Sequence, residues 1–142
     1  MLSLLDVNVL IALLDENHAH HAVVVSWFRD NVEDGWASSP ITQNGALRIL
    51  SQPKYPNMVE VGDARLRLRE ATSTSHHRFL ADDISLLDDD ILDAEHLLGH
   101  RQLTDVYLLA LATAHDSRLV TLDTAVPLGP VRGATEDSLL IL

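Results

Sequence analysis

Residues Leu103–Asp123 read LTDVYLLALATAHDSRLVTLD. Thr104 is placed to cap a helix running from Asp105 to about His115, because VYLLALA is apolar enough for a buried helix. The pattern then changes: Arg118–Leu122 reads as a strand that stops at Asp123. The start of the chain has the complementary form. Leu2–Leu5 is a short apolar run ending at Asp6, and Val7 to about Leu14 continues as a helix with Leu10, Ile11 and Leu14 on one side. Strand runs that are continuously apolar, rather than alternating, belong to a parallel sheet with helices on both faces.

The segments between fit that scheme. Ala19 to about Val32 predicts a second helix with Val23, Val24, Trp27 and Phe28 at helical spacing, broken by Gly35 before a brief strand at Trp36–Ser38. Pro40 opens a helix over Ile41 to about Leu50, which Pro53 and Pro56 stop. Val59 to about Ala71 predicts a fourth helix with Val61, Ala64 and Leu68 inward. A strand is expected within Phe79–Leu87, a short helix at Asp93–Leu98 closed by Gly99, and a last strand at Leu139–Leu142.

The 142 residues have the length of one domain. A domain near that size hides roughly 68–70% of its unfolded surface. No repeat, low-complexity tract or linker divides the chain, so residues 1–142 read as a single domain. With 46% hydrophobic and 22% charged residues, it is neither disordered nor fibrous. Ten bases against 21 acids give a net charge of −11, a field that repels phosphate. The absence of cysteine removes disulfides, thiolate zinc sites and a cysteine nucleophile, and is compatible with a cytoplasmic setting. No apolar window of roughly 18 residues is present, so no membrane partner is expected. The N-terminal run lacks a basic region and is interrupted by Asp6 and Asn8, which argues against a targeting segment.

In parallel α/β sheets, ligands bind beyond the carboxyl ends of the strands. Asp6 and Asp123 end strands, and Asp105 begins a helix. Singly, each has an ordinary explanation as a helix cap, a dipole partner or a turn residue. Together at one sheet edge they would repel one another, and a divalent cation removes that cost. Oxygen ligands select Mg²⁺ or Mn²⁺, and such an ion suits phosphodiester hydrolysis.

LLDVNVLIALL (residues 4–14), PITQNGALRILSQP (40–53) and LTDVYLLALATAHDSRLVTLD together resemble the PIN-domain ribonucleases. More narrowly, they look like the VapC toxins of type II toxin–antitoxin systems. The resemblance covers nearly the whole chain in motif order, spacing and length. It implies an α/β fold, a three-layer α/β/α sandwich with a short, mostly parallel sheet. It also implies metal-dependent cleavage of RNA, usually a tRNA or rRNA, with Mg²⁺ or Mn²⁺ as cofactor, neutralisation by an antitoxin, and a homodimer. By the same resemblance Asp6 and Asp105 are the principal catalytic metal ligands, and Asp123 acts on the metal through water. Asn8 and Thr121 are supporting hydrogen-bonders. Gln43 stands where the family's second acid belongs, in Thr42–Gln43–Asn44–Gly45. Gln keeps an oxygen ligand and loses a charge, so a weakened member that only binds antitoxin or RNA is the alternative. A phosphatase of the haloacid dehalogenase type would want a second Asp where Asn8 stands.

The charge is unevenly spread. Between Arg48 and Arg78 lie six bases and three acids, while the remainder holds four bases and 18 acids. Arg48, Arg65 and Arg69 are the expected RNA contacts, with Arg65 and Arg69 on one helix face at i, i+4 spacing. Residues 82–95 carry seven acids and no base, a solvated stretch that could also dock a basic antitoxin segment. His18, His20 and His21 read as a polar loop, His76–His77 has no evident partner, and His115 suits a helix C-terminus.

Overall fold

The computed structural model describes residues 1–142. Five short strands pair in parallel in the order β3-β2-β1-β4-β5. They are β1 (Ser3–Leu5), β2 (Trp36–Ser38), β3 (His77–Phe79), β4 (Arg118–Thr121) and β5 (Leu139–Ile141). The helices are α1 (Val7–Leu14), α2 (His21–Asn31), α3 (Pro40–Leu50), α4 (Val61–Thr72) and α5 (Leu103–Ala114). Side chains alternate across the sheet, so each strand feeds two cores. Leu4, Ala37 and Leu119 face the core that holds α5. Leu5, Trp36 and Val120 face the core built from α1, α3 and α4. The result is the three-layer α/β/α arrangement.

The strand order reverses at β1, which lies between β2 and β4. Crevices at such a switch point are where open α/β sheets hold ligands. Asp6 follows β1 and Asp123 follows β4, so the switch point is flanked by two carboxylates.

Several boundaries differ from the sequence reading. β3 ends at Phe79, and the strand expected over Phe79–Leu87 is a loop. Its apolar residues have other uses: Leu80 is buried, Ile84 and Leu86 pack on the α5 core, and Leu87 is exposed. Helix α5 starts at Leu103 after a 3-10 turn at His100–Gln102, so Thr104 lies inside the first turn and does not cap it. Val61 is exposed, although Ala64 and Leu68 are buried as expected. The short helix near Asp93 is a 3-10 turn at Ala94–His96, with the Asp93 side chain capping Glu95 N–H.

Helix α3 is held at its start by a reciprocal cap. Ser39 accepts from the Thr42 backbone, the Thr42 hydroxyl accepts from Ser39, and Pro40 occupies the first turn. It crosses α1 closely enough that Gly45 has no room for a side chain. A Cβ there would sit 2.8 Å from Val7 Cγ2. A second acid, Asp15, is buried at the end of α1. It accepts from Tyr55 Oη, Asn57 Nδ2 and Asn17 N–H, tying the α3–α4 connection to α1. Burial pushes its pKa up, but those donors outweigh burial and hold it below the usual range.

An alanine at a free helical position gains about 0.5–1 kcal/mol over glycine. At position 45 overpacking, which costs about 1–3 kcal/mol, opposes that gain. Gly45→Ala is therefore expected to lower stability by about 1 kcal/mol in urea unfolding. Adding Val7→Ala should recover part of the loss, and a higher unfolding midpoint for Gly45→Ala alone would contradict the close approach.

Candidate active site

The Thr121 hydroxyl organises the carboxyl end of the sheet. It donates to Asp6 Oδ2 at 2.6 Å and accepts from Asn8 Nδ2 and from Asp123 N–H, both at 3.1 Å. Its one proton and both lone pairs are used. Asp6 Oδ1 accepts from Val7 N–H, and Asn8 Oδ1 accepts from Leu122 N–H at 3.1 Å. Residues from the β1–α1 junction are thereby locked to those that end β4. Asn8 and Thr121 are hydrogen-bonded to one another, and Thr121 to Asp6.

Asp6 is only 5% exposed. Burial raises its pKa above the usual range, against the hydrogen bonds from Thr121 and Val7, and the charge of Asp123 adds to the rise. Asp105, in the first turn of α5, is pushed up to about 6 by burial and by the charges of Asp6 and Asp123. The structure thus brings the three acids into one another's field. No Lys, Arg or His lies within 4.0 Å of any of their carboxylates. Asp15 is buried too, yet its three donors hold its pKa down. At Asp6 and Asp105 burial prevails, the neighbouring carboxylates add to the rise, and no protein cation opposes it.

Whether a divalent cation fits is answered by the donor set. All three acids offer hard oxygen, which suits Mg²⁺ or Mn²⁺. No three Asp, Glu, His or Cys side chains are grouped closely enough to enclose an ion on their own. Mg²⁺ keeps several waters and is held by one or two carboxylates plus substrate phosphate. The residues therefore fit a partly hydrated ion open to substrate, and not a closed protein cage.

Gln43 lies in the first turns of α3, at the same end of the sheet. Its Nε2 donates to Ser38 Oγ at 2.9 Å, and it has no hydrogen bond to the acids. Ser38 Oγ is also 2.8 Å from His77 Nε2. His77 thus has a partner that the sequence does not reveal, because β2 and β3 meet only through sheet register. Arg65 and Arg69 line one groove with Gln43 between α3 and α4. Arg48 is exposed in the last turn of α3 and is not among that groove's lining residues. No base between Arg48 and Arg78 lies within 4.0 Å of a carboxylate, so the strip is not a face of ordinary ion pairs. In the acidic stretch, Asp83 pairs with His115, and Asp93 pairs with His96 and Arg132.

The model of the PIN domain family matches residues 3–127. The chain is 47% identical to Ribonuclease VapC44 of Mycobacterium tuberculosis over 142 residues, the whole length of both proteins. It is 44% identical over 126 residues to Ribonuclease VapC38 of the same organism, covering 88% of this chain and 87% of the relative. Among solved structures it is similar to the crystal structure of VapBC2 from Rickettsia felis bound to a DNA fragment from their promoter. The TM-score is 0.61 at 14% identity, covering 87% of this chain and 89% of the other, a likeness of fold.

The raised pKa of Asp105 has a consequence for stability. Below about pH 4 the carboxyl is protonated both folded and unfolded. Between the unfolded value of 3.8 and the folded value of about 6, the folded state binds more protons, so stability falls as pH rises. Metal-free Asp105→Asn should match the unsubstituted protein at pH 4 and melt several degrees higher at pH 7. Adding Mg²⁺ at pH 7 should raise the midpoint of the unsubstituted protein more than that of the variant. Equal midpoints at pH 7 would contradict the uncompensated carboxylates.

Proposed function

The chain belongs to the PIN domain family, in its VapC ribonuclease branch, and from that membership we propose that it is a Mg²⁺- or Mn²⁺-dependent endoribonuclease toxin cleaving phosphodiester bonds of RNA. The observation that carries the reading is the group of Asp6, Asp105 and Asp123 at the switch point of the sheet, with no protein cation beside it. Asp6 and Asp105 are the residues that would hold the ion, with Asp123 reaching it through water. When bound, such an ion supplies positive charge for phosphoryl oxygens and lowers the pKa of an attacking water.

The chain's own residues supply the positioning. Thr121 fixes the plane of the Asp6 carboxylate and, through the Asp123 backbone, the path of the chain beyond β4. Asn8 holds Thr121 and Leu122 in place. The unpaired arginines of α4 suit the RNA backbone, with Arg48 at the end of α3 as a further contact. A tRNA or rRNA substrate, a cognate antitoxin, a homodimer and a cytoplasmic location complete the proposal, and family membership supports each. No helix is long and apolar enough to cross a membrane.

The alternative, a member that only binds antitoxin or RNA, rests on Gln43 in place of an acid. The three remaining carboxylates and the full-length likeness to a named ribonuclease favour cleavage.

Purified protein should cleave structured RNA in Mg²⁺ and lose that activity in EDTA. Asp6→Ala and Asp105→Ala should abolish it, while Thr121→Val, which removes a hydrogen bond to a ligand, should cost about 10–100-fold. Cleavage that persists in EDTA or in either alanine variant would overturn the proposal.

A further inference from the structure

The orientation of the Gln43 amide follows from its neighbours. His77 packs its ring against Trp36 at 4.5 Å, and its Nε2 lies 2.8 Å from Ser38 Oγ. Gln43 Nε2 donates to the same oxygen at 2.9 Å. An amide nitrogen only donates, so Ser38 Oγ accepts from Gln43 and its own proton is free for His77. Gln43 Oε1 is consequently turned away from Ser38.

The amide borders a groove of about 370 Å³ between α3 and α4, with Leu47 and Leu68 as its apolar part, and Arg65, Arg69 and Thr72 also lining it. Both arginines are exposed and without a carboxylate partner, although the chain carries 21 acids. Gln43 lies in the first turn of α3, which starts after β2 as α1 starts after β1, so the amide belongs to the carboxyl end of the sheet. Cations for a phosphate, an apolar wall for a base and a fixed amide for its edge are the parts with which proteins read single-stranded RNA.

We propose that the α3–α4 groove is a nucleotide subsite, in which Arg65 and Arg69 hold a phosphate of unpaired RNA and the Ser38-oriented Gln43 amide reads the edge of the adjoining base. On this inference, which rests on the ribonuclease reading, Gln43 is a specificity residue in place of a fourth acidic ligand. Ser38 and His77 are positioning residues for it.

The test measures binding of four short single-stranded RNA homopolymers to the full chain in EDTA, by fluorescence anisotropy, with thermal midpoints as a folding control. Arg65→Ala and Arg69→Ala should weaken all four about equally and reduce the salt slope by about 0.7 for each phosphate no longer held. Gln43→Leu and Ser38→Ala should instead level the preference among the four bases and leave the salt slope unchanged. The cleavage sites mapped in Mg²⁺ should shift for the same two variants. A base preference unchanged in both would overturn the subsite, as would arginine variants that bind RNA normally but lose a poly-glutamate peptide. Those failures leave metal-dependent cleavage standing. Cleavage that ignores EDTA, Asp6→Ala and Asp105→Ala removes the ribonuclease reading itself.

Discussion

The hydrogen bond from Thr121 to Asp6 is the contact on which the site depends. Asp6 is 5% exposed at the end of the central strand, and a buried carboxylate needs a fixed partner. Thr121 provides it from the neighbouring strand, and in the same contact sets the direction of the chain toward Asp123. Loss of that hydroxyl leaves the parallel pairing of β1 and β4 intact but frees the carboxylate to turn. Asn8 completes the lock by bonding both Thr121 and the Leu122 amide. Placement of the Asp6 carboxylate is thus the work of one small set of side chains.

The two buried acids that flank α1 show how environment separates structure from chemistry. Asp15 has three donors, and its charge is accommodated within the fold. Asp6 has two, and shares its surroundings with Asp105 and Asp123. An arrangement that raises carboxyl pKa values without a compensating base is unfavourable for the isolated chain. On the proposed function, a divalent ion and a phosphate would offset that cost. The same logic resolves how a chain of net charge −11 meets RNA. Part of the excess belongs to this cluster, and part sits in the acidic stretch at residues 82–95. Arg65, Arg67 and Arg69, none with a carboxylate partner, stand together on α4.

Much of this was legible in the residue order. Asp6 and Asp123, each after a short apolar run, marked strand ends, and the starts of α1 and α3 follow from Asp6 as cap and from Pro40. The misread segments have a common cause. In Phe79–Leu87, apolar residues fill the core as a loop, because β2 offers register for only three residues up to Phe79. Val61 has the right helical spacing but lies in the first turn of α4, beyond the reach of the core.

Local sequence determined the strand-then-acid units, the basic character of α4 and the absence of an acid at position 43, because each depends on residues adjacent in the chain. Tertiary structure alone decided that His77 would reach Ser38, that Ser38 would orient Gln43, and that Gly45 would press against Val7. Those contacts join residues up to 39 positions apart through sheet register and helix crossing. A hydrogen bond or a close packing contact is set by ångström-scale placement of whole elements, and that placement is fixed only when both faces of the sheet are filled.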